Sequence, residues 1–268
     1  MASRKELKEQ AREERLAREA ALAAAARRRR VLTLGGAGAV AVVAIVVAAI
    51  VIAGGGGGGG ASASQKVSKA GSTPQLKLGP LASLGPLQSP GAPGPAGPEG
   101  VPIPAAPELA GTASGATGAT VDQIGCLSQE QIAFHIHAHL TIFVNGTPRQ
   151  IPYAIGITQP KPQSTPQGTF IGGGNCFYWL HTHAADGIVH IESPVQRTYT
   201  LGNFFDVWGQ PLGPRQVGSA KGPVTAIYNG KLYDGNPRDI PLTAHAQIQL
   251  EVGRPLVAPV AITFPSGL

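Results

Sequence analysis

A mainly β fold is predicted for residues 122–268, a β-sandwich or small barrel with one short helix. Three observations predict it. Residues 132–144 and 245–252 alternate apolar and polar side chains, the period of a strand with one buried face. Asn145-Gly146 and Asn229-Gly230 lie between runs of this kind and signal two-residue hairpin turns. Apolar residues take helical spacing in one segment of this region, at Leu201, Phe204, Phe205 and Trp208.

The segments in front of that domain are of another kind. Residues 3–30 predict a basic cytoplasmic helix: Ser3 caps it, Glu6 completes a capping box, and Ala, Glu, Arg and Leu fill it. Residues 31–53 are 23 positions without a charge, about 35 Å as a helix, which predicts a single transmembrane span. A cleaved secretory signal is the alternative, and Ala61-Ser62-Ala63-Ser64 offers a cleavage site. The long basic segment and the long apolar core favour an uncleaved anchor. Arg27 to Arg30 hold the N-terminus in the cytoplasm, so the chain beyond Ala53 is expected outside, as a single-pass protein of the cell membrane.

The formal charge of +6 belongs to the same segment. Residues 1–30 hold ten Lys/Arg against five Asp/Glu, and the other 238 hold eleven against ten. The excess therefore marks a membrane flank, and a nucleic-acid partner is not expected. Gly and Pro together make 61 residues, concentrated between 54 and 120. That composition excludes one large α/β domain such as a TIM barrel. Residues 54–121 are expected to be a disordered Gly/Pro/Ala/Ser linker. The triplets in GAPGPAGPEG (91–100) are too few for a collagen helix. A flexible chain of this length spans about 45 Å, enough to set the domain off the membrane within a cell wall.

Within 122–268 the elements follow in order. The first strand, 132–144, puts Ile132, Phe134, Ile136, Ala138, Leu140, Ile142 and Val144 on one face. His135, His137, His139 and Thr141 take the other face, successive ones about 6.6–7 Å apart. The Asn145-Gly146 turn leads to a strand at 149–157, and this turn also accounts for the sequon Asn145-Gly146-Thr147. Strands at 177–183 and 187–192 are joined at Asp186-Gly187. Thr200 caps the helix and Pro211 ends it. Hairpin strands at 223–228 and 231–234 precede the last strand.

Cys126 and Cys176 fall in a compartment that permits disulfides, and two Cys in one small domain predict a bridge worth about 4 kcal/mol. A thiolate metal ligand is the alternative. A blue-copper site would add an axial Met, and the one Met is Met1.

Six of the seven histidines lie between 135 and 190. His-x-His on a strand presents two imidazoles on one face, where they can converge on one ion about 2.0–2.1 Å from each nitrogen. His135, His137, His139, His181, His183 and His190 are the candidate metal ligands. Two of the first three are expected to join His181 and His183, leaving one to orient a ligand or hold a second ion. Many imidazoles with no thioether point to zinc or copper. Asp186 is a turn former, or else a metal ligand or an orienter of one, and His245 a surface residue. Glu192 and Asp186 are the nearest carboxylates for a general base, so catalytic residues and enzyme status stay open. GxSxG, HExxH, CxxC and P-loop motifs are absent.

FHIHAHLTIFVNG, FYWLHTHAADGIVHIESPVQRTYTLGNFFDVWGQPL and IPLTAHAQIQLEVGRP, within 134–255, resemble a family of bacterial membrane-anchored His-rich extracytoplasmic proteins of unknown activity. The resemblance implies topology and no chemistry. FHIHAH is similar to the copper strand of Cu/Zn superoxide dismutases, and FYWLHTHAADG to a strand of multicopper oxidases. Both imply a cupredoxin-like or immunoglobulin-like fold and neither an activity.

The expected function is therefore a membrane-anchored, extracytoplasmic zinc or copper domain, for metal handling or metal-dependent chemistry. The alternative is a non-metal β-domain that binds a cell-wall or protein partner through Tyr178, Trp179 and Trp208.

Overall fold

In the computed structural model, which describes residues 76–112 and 116–268, the alternation of the first strand becomes an eleven-residue strand inside an eight-stranded sheet. The described residues belong to one unit, Gly71–Leu268. The expected cytoplasmic helix, the transmembrane span and residues 54–75 lie outside them. No helix among the described residues is long and apolar enough to cross a membrane.

The strands are β1 (Leu78–Gly79), β2 (Cys126–Leu127), β3 (Phe134–Val144), β4 (Thr147–Arg149), β5 (Ile157–Thr158), β6 (Pro162–Thr165), β7 (Gly168–Ile171) and β8 (Cys176–Tyr178). There follow β9 (Leu180–His181), β10 (Ile188–Ser193), helix α1 (Leu201–Trp208), β11 (Leu212–Gly213), β12 (Gln216–Val217) and β13 (Ala220–Lys221). The last are β14 (Val224–Tyr228), β15 (Lys231–Tyr233) and β16 (Ala246–Val252). The fold is mainly β, with several sheets and one α-helix among the described residues.

The large sheet has the order β1-β15-β14-β16-β3-β10-β9, with β4 also paired to β3. Its pairs are antiparallel except β16 on β3, which is parallel. Three smaller sheets, β11-β12-β13, β2-β8-β5 and β6-β7, flank it. Both Asn-Gly turns form as expected, with Asn145 and Asn229 at positive φ. The strand after the first turn is only Thr147–Arg149, shorter than the expected 149–157. The expected strand 177–183 divides into β8 and β9, which belong to different sheets.

The apolar faces of β3, β10, β14 and β16 share one buried cluster with Leu201, Phe204, Phe205 and Trp208 of α1. Thr200 caps α1 through a reciprocal pair of bonds with Asn203. Gly209, left-handed at φ 70°, terminates the helix by donating to the Asp206 and Phe205 carbonyls, so the stop precedes the expected Pro211.

The linker expectation is corrected for its described part. Residues 76–112 and 116–121 lie on the domain: β1 pairs with β15, and Val101 and Leu109 are buried. Leu109 N–H donates to the Gln150 carbonyl at 3.0 Å, and Trp208 Nε1 donates to the Gly111 carbonyl at 3.0 Å. A Pro-rich chain is already restricted in φ, so ordering it costs less entropy than composition alone suggests. A few apolar anchors and backbone bonds then suffice to dock it.

Candidate metal centre

The pairing of β9, β10 and β3 assembles the centre. β10 lies antiparallel to β3 with His190 opposite His137 and Glu192 opposite His135. On its other edge His190 stands opposite His181 of β9. Directly opposed residues share a face of the sheet, so three neighbouring strands bring their polar side chains to one place. The apolar face of the same strands is spent on the core; on the other face His137, His139, His181 and His190 are buried and His135 is exposed.

Four donors there close a circuit. His135 Nε2 lies 3.1 Å from His137 Nε2, which lies 3.1 Å from His190 Nδ1. His190 Nδ1 lies 3.3 Å from Glu192 Oε1, which returns to His135 Nε2 at 3.1 Å. A tetrahedron of such edges has its centre about 1.9 Å from each corner and a square about 2.2 Å, which bracket the ~2.0–2.1 Å bonds of zinc or copper to imidazole. His135, His137, His190 and Glu192 thus form a group able to hold a metal ion.

A second group, His181, His183, His190 and Glu192, shares two members with the first. His181 Nδ1 donates to the Tyr178 carbonyl at 2.8 Å, and His183 Nδ1 donates to the Ile171 carbonyl. A carbonyl only accepts, so each Nδ1 carries the proton and each Nε2 of the neutral ring is a lone pair. The two Nε2 atoms face each other at 3.1 Å. Burial, and after it the nearby histidines, hold both rings below the ordinary histidine pKa, so a proton is disfavoured between them. A cation resolves that opposition.

Carboxylates complete the electrostatics. His190 Nε2 donates to Glu99 Oε1 at 2.8 Å. Burial alone would lower His190, but hydrogen bonds to Glu192 and Glu99 and their charges outweigh it and push it up to about 9, so an ion bound at Nδ1 displaces a proton. His137 is pushed down to about 3, by burial first and then by His190. Glu99 Oε2 and Glu192 Oε2 are buried without a hydrogen-bond partner. Glu130 Oε1 sits 3.5 Å from His183 Nε2, and burial and then Glu192 raise its carboxyl.

The expected ligand set is redistributed. His135 and His137 are brought together with His190 rather than directly with His181 and His183. His139 is drawn away, with Nε2 on the Asp186 backbone carbonyl at 3.0 Å, and is in neither group. Asp186 shapes the turn, its Oδ1 accepting from Ile188 N–H at 3.1 Å. His245 is exposed. Glu192, expected as a base, stands opposite His135 and belongs to both groups. Glu99, from the Pro-rich stretch expected to be linker, also reaches the centre through His190. Its one signal is that Glu99 and Glu108 are the only carboxylates in residues 54–121.

Cys126 and Cys176 form the expected disulfide, which removes thiolate from the ligand choices. Tyr178 and Trp208 are wholly buried and Trp179 is half-buried. A cavity of about 850 Å³ is lined by His139, Thr141, Arg149, Asp186 and prolines of the docked segment, but by none of the donors of the two groups. Compared with protein families, curated proteins and solved structures, the chain matches none.

Proposed function

We propose that this chain is a membrane-anchored metal-binding protein whose C-terminal unit holds zinc or copper on the extracytoplasmic side. The observation that carries the reading is the closed circuit of His135, His137, His190 and Glu192, with sides of 3.1–3.3 Å. Imidazole and carboxylate suit zinc and copper(II), and the disulfide leaves no thiolate to select a softer ion. Four protein donors fill a tetrahedral shell, which favours retention or transfer of that ion over chemistry at it. The apolar run 31–53 behind four arginines supports the anchor and its N-in orientation.

The test is elemental analysis of the full chain, purified without a His-tag in detergent after folding in an oxidising compartment. A His135→Ala/His137→Ala variant is measured beside it. Near-stoichiometric zinc or copper that falls in the variant is the expected result. No metal, and no uptake of zinc or copper by the purified chain, overturns the reading.

A further inference from the structure

We propose that the centre is dinuclear: a second ion sits beside the first, held by His181 Nε2, His183 Nε2 and Glu192, with the Glu192 carboxylate bridging the two. This rests on the metal-binding reading above and adds a second site with an open coordination position.

Glu192 is placed for the role. Its Oε1 closes the first circuit, 3.1 Å from His135 Nε2 and 3.3 Å from His190 Nδ1. Its Oε2 points to the other pair, 4.0 Å from His181 Nε2, and is buried with no hydrogen-bond partner. One ion with ~2.0–2.2 Å bonds spans that distance at a wide angle. The pair it faces, His181 and His183, has both Nδ1 protons fixed by backbone carbonyls and both Nε2 lone pairs turned inward at 3.1 Å. His190 cannot serve both ions while its Nε2 proton is held by Glu99, so its Nδ1 stays with the first circuit.

The two sites then differ in kind. The first has four protein donors. The second has two imidazoles and one carboxylate oxygen, the donor count of a zinc site that keeps a position for water or another oxygen ligand. Glu130 Oε1 lies nearby, 3.5 Å from His183 Nε2, on a half-exposed side chain. A bridging carboxylate sets paired ions about 3.5–4 Å apart, the separation of sites that work on one ligand together.

The test counts ions and asks whether they are neighbours. The full chain in detergent is stripped and titrated with zinc, with the stoichiometry read by native mass spectrometry, and is then loaded with copper(II) for electron paramagnetic resonance. About two equivalents of each metal are expected, with the copper signal per ion several-fold below that of isolated copper because bridged ions couple. His183→Ala is expected to fall to about one equivalent and recover the full uncoupled signal. One equivalent in the wild type overturns the second ion and leaves the first site standing. No binding at all overturns both readings. Two equivalents with an undiminished copper signal overturn the shared Glu192. Stoichiometry and coupling in the wild type decide the matter even where the variant fails to fold.

Discussion

Glu99 Oε1 accepts a hydrogen bond from His190 Nε2 at 2.8 Å, joining the Pro-rich segment to a strand 91 residues further on. The bond leaves Nδ1 of the same ring to face His137 and Glu192. A carboxylate on the far nitrogen of a ligating histidine fixes its tautomer and orientation, and removing such a partner typically weakens metal binding about 10–100-fold. Glu99→Ala is therefore expected to weaken zinc binding by about that factor, and Glu99→Gln, which keeps an acceptor oxygen, by less. Competition against a chromogenic chelator reads both. Equal affinity in all three proteins would show that Glu99 does not orient His190.

Metal removal is expected to destabilise the unit, because it leaves facing lone pairs and partnerless buried carboxylate oxygens behind. At free zinc 100-fold above the dissociation constant, mass action gives about 2.7 kcal/mol. For a unit of this size that corresponds to a Tm lower by about 5–10 °C in chelator. Calorimetry with and without zinc measures it, and identical transitions would contradict the centre.

Asp186 gives a pH dependence of definite sign. Burial first, and then the charge of Glu99, push its carboxyl up to about 7 from 3.8. A folded pKa above the unfolded one means that its stabilising contribution is complete at low pH and lost as pH rises through about 7. In chelator-treated protein, wild type is expected to lose stability relative to Asp186→Asn between about pH 5 and pH 8. Parallel urea titrations at the two pH values check this; a constant difference would rule it out.

The Cys126–Cys176 bridge closes a 50-residue separation across β2 and β8. On the loop-entropy argument its removal costs about 4 kcal/mol. Cys126→Ser/Cys176→Ser is expected to lower the urea midpoint accordingly, and wild type in reductant to follow it.

Gly187 permits the approach of β10 to β3. At φ +84° an added Cβ would lie 2.4 Å from the Leu140 carbonyl oxygen and 3.1 Å from His139 Nε2. Gly187→Ala is therefore expected to cost at least about 2 kcal/mol, through left-handed strain and the backbone clash. Denaturant unfolding measures it, and a neutral substitution would show that β10 can shift without loss.

Much of the local structure is legible in the sequence. Period-two alternation placed β3 and β16, Asn-Gly marked both hairpins, and Thr200 marked the start of α1, because each rests on contacts within a few residues. The histidine face of β3 follows from the same alternation. Pairing between distant strands is not written in any local pattern. The parallel match of β16 to β3, the placing of His190 opposite both His137 and His181, and the choice of His135 and His137 over His139 were decided by strand register. The docking of the Pro-rich segment was decided the same way, since Val101, Leu109 and Glu99 acquire partners only where the folded domain supplies them. Local sequence determined which side chains share a face, because backbone geometry repeats every two residues. The tertiary structure decided which faces meet, because that depends on the burial of whole surfaces at once.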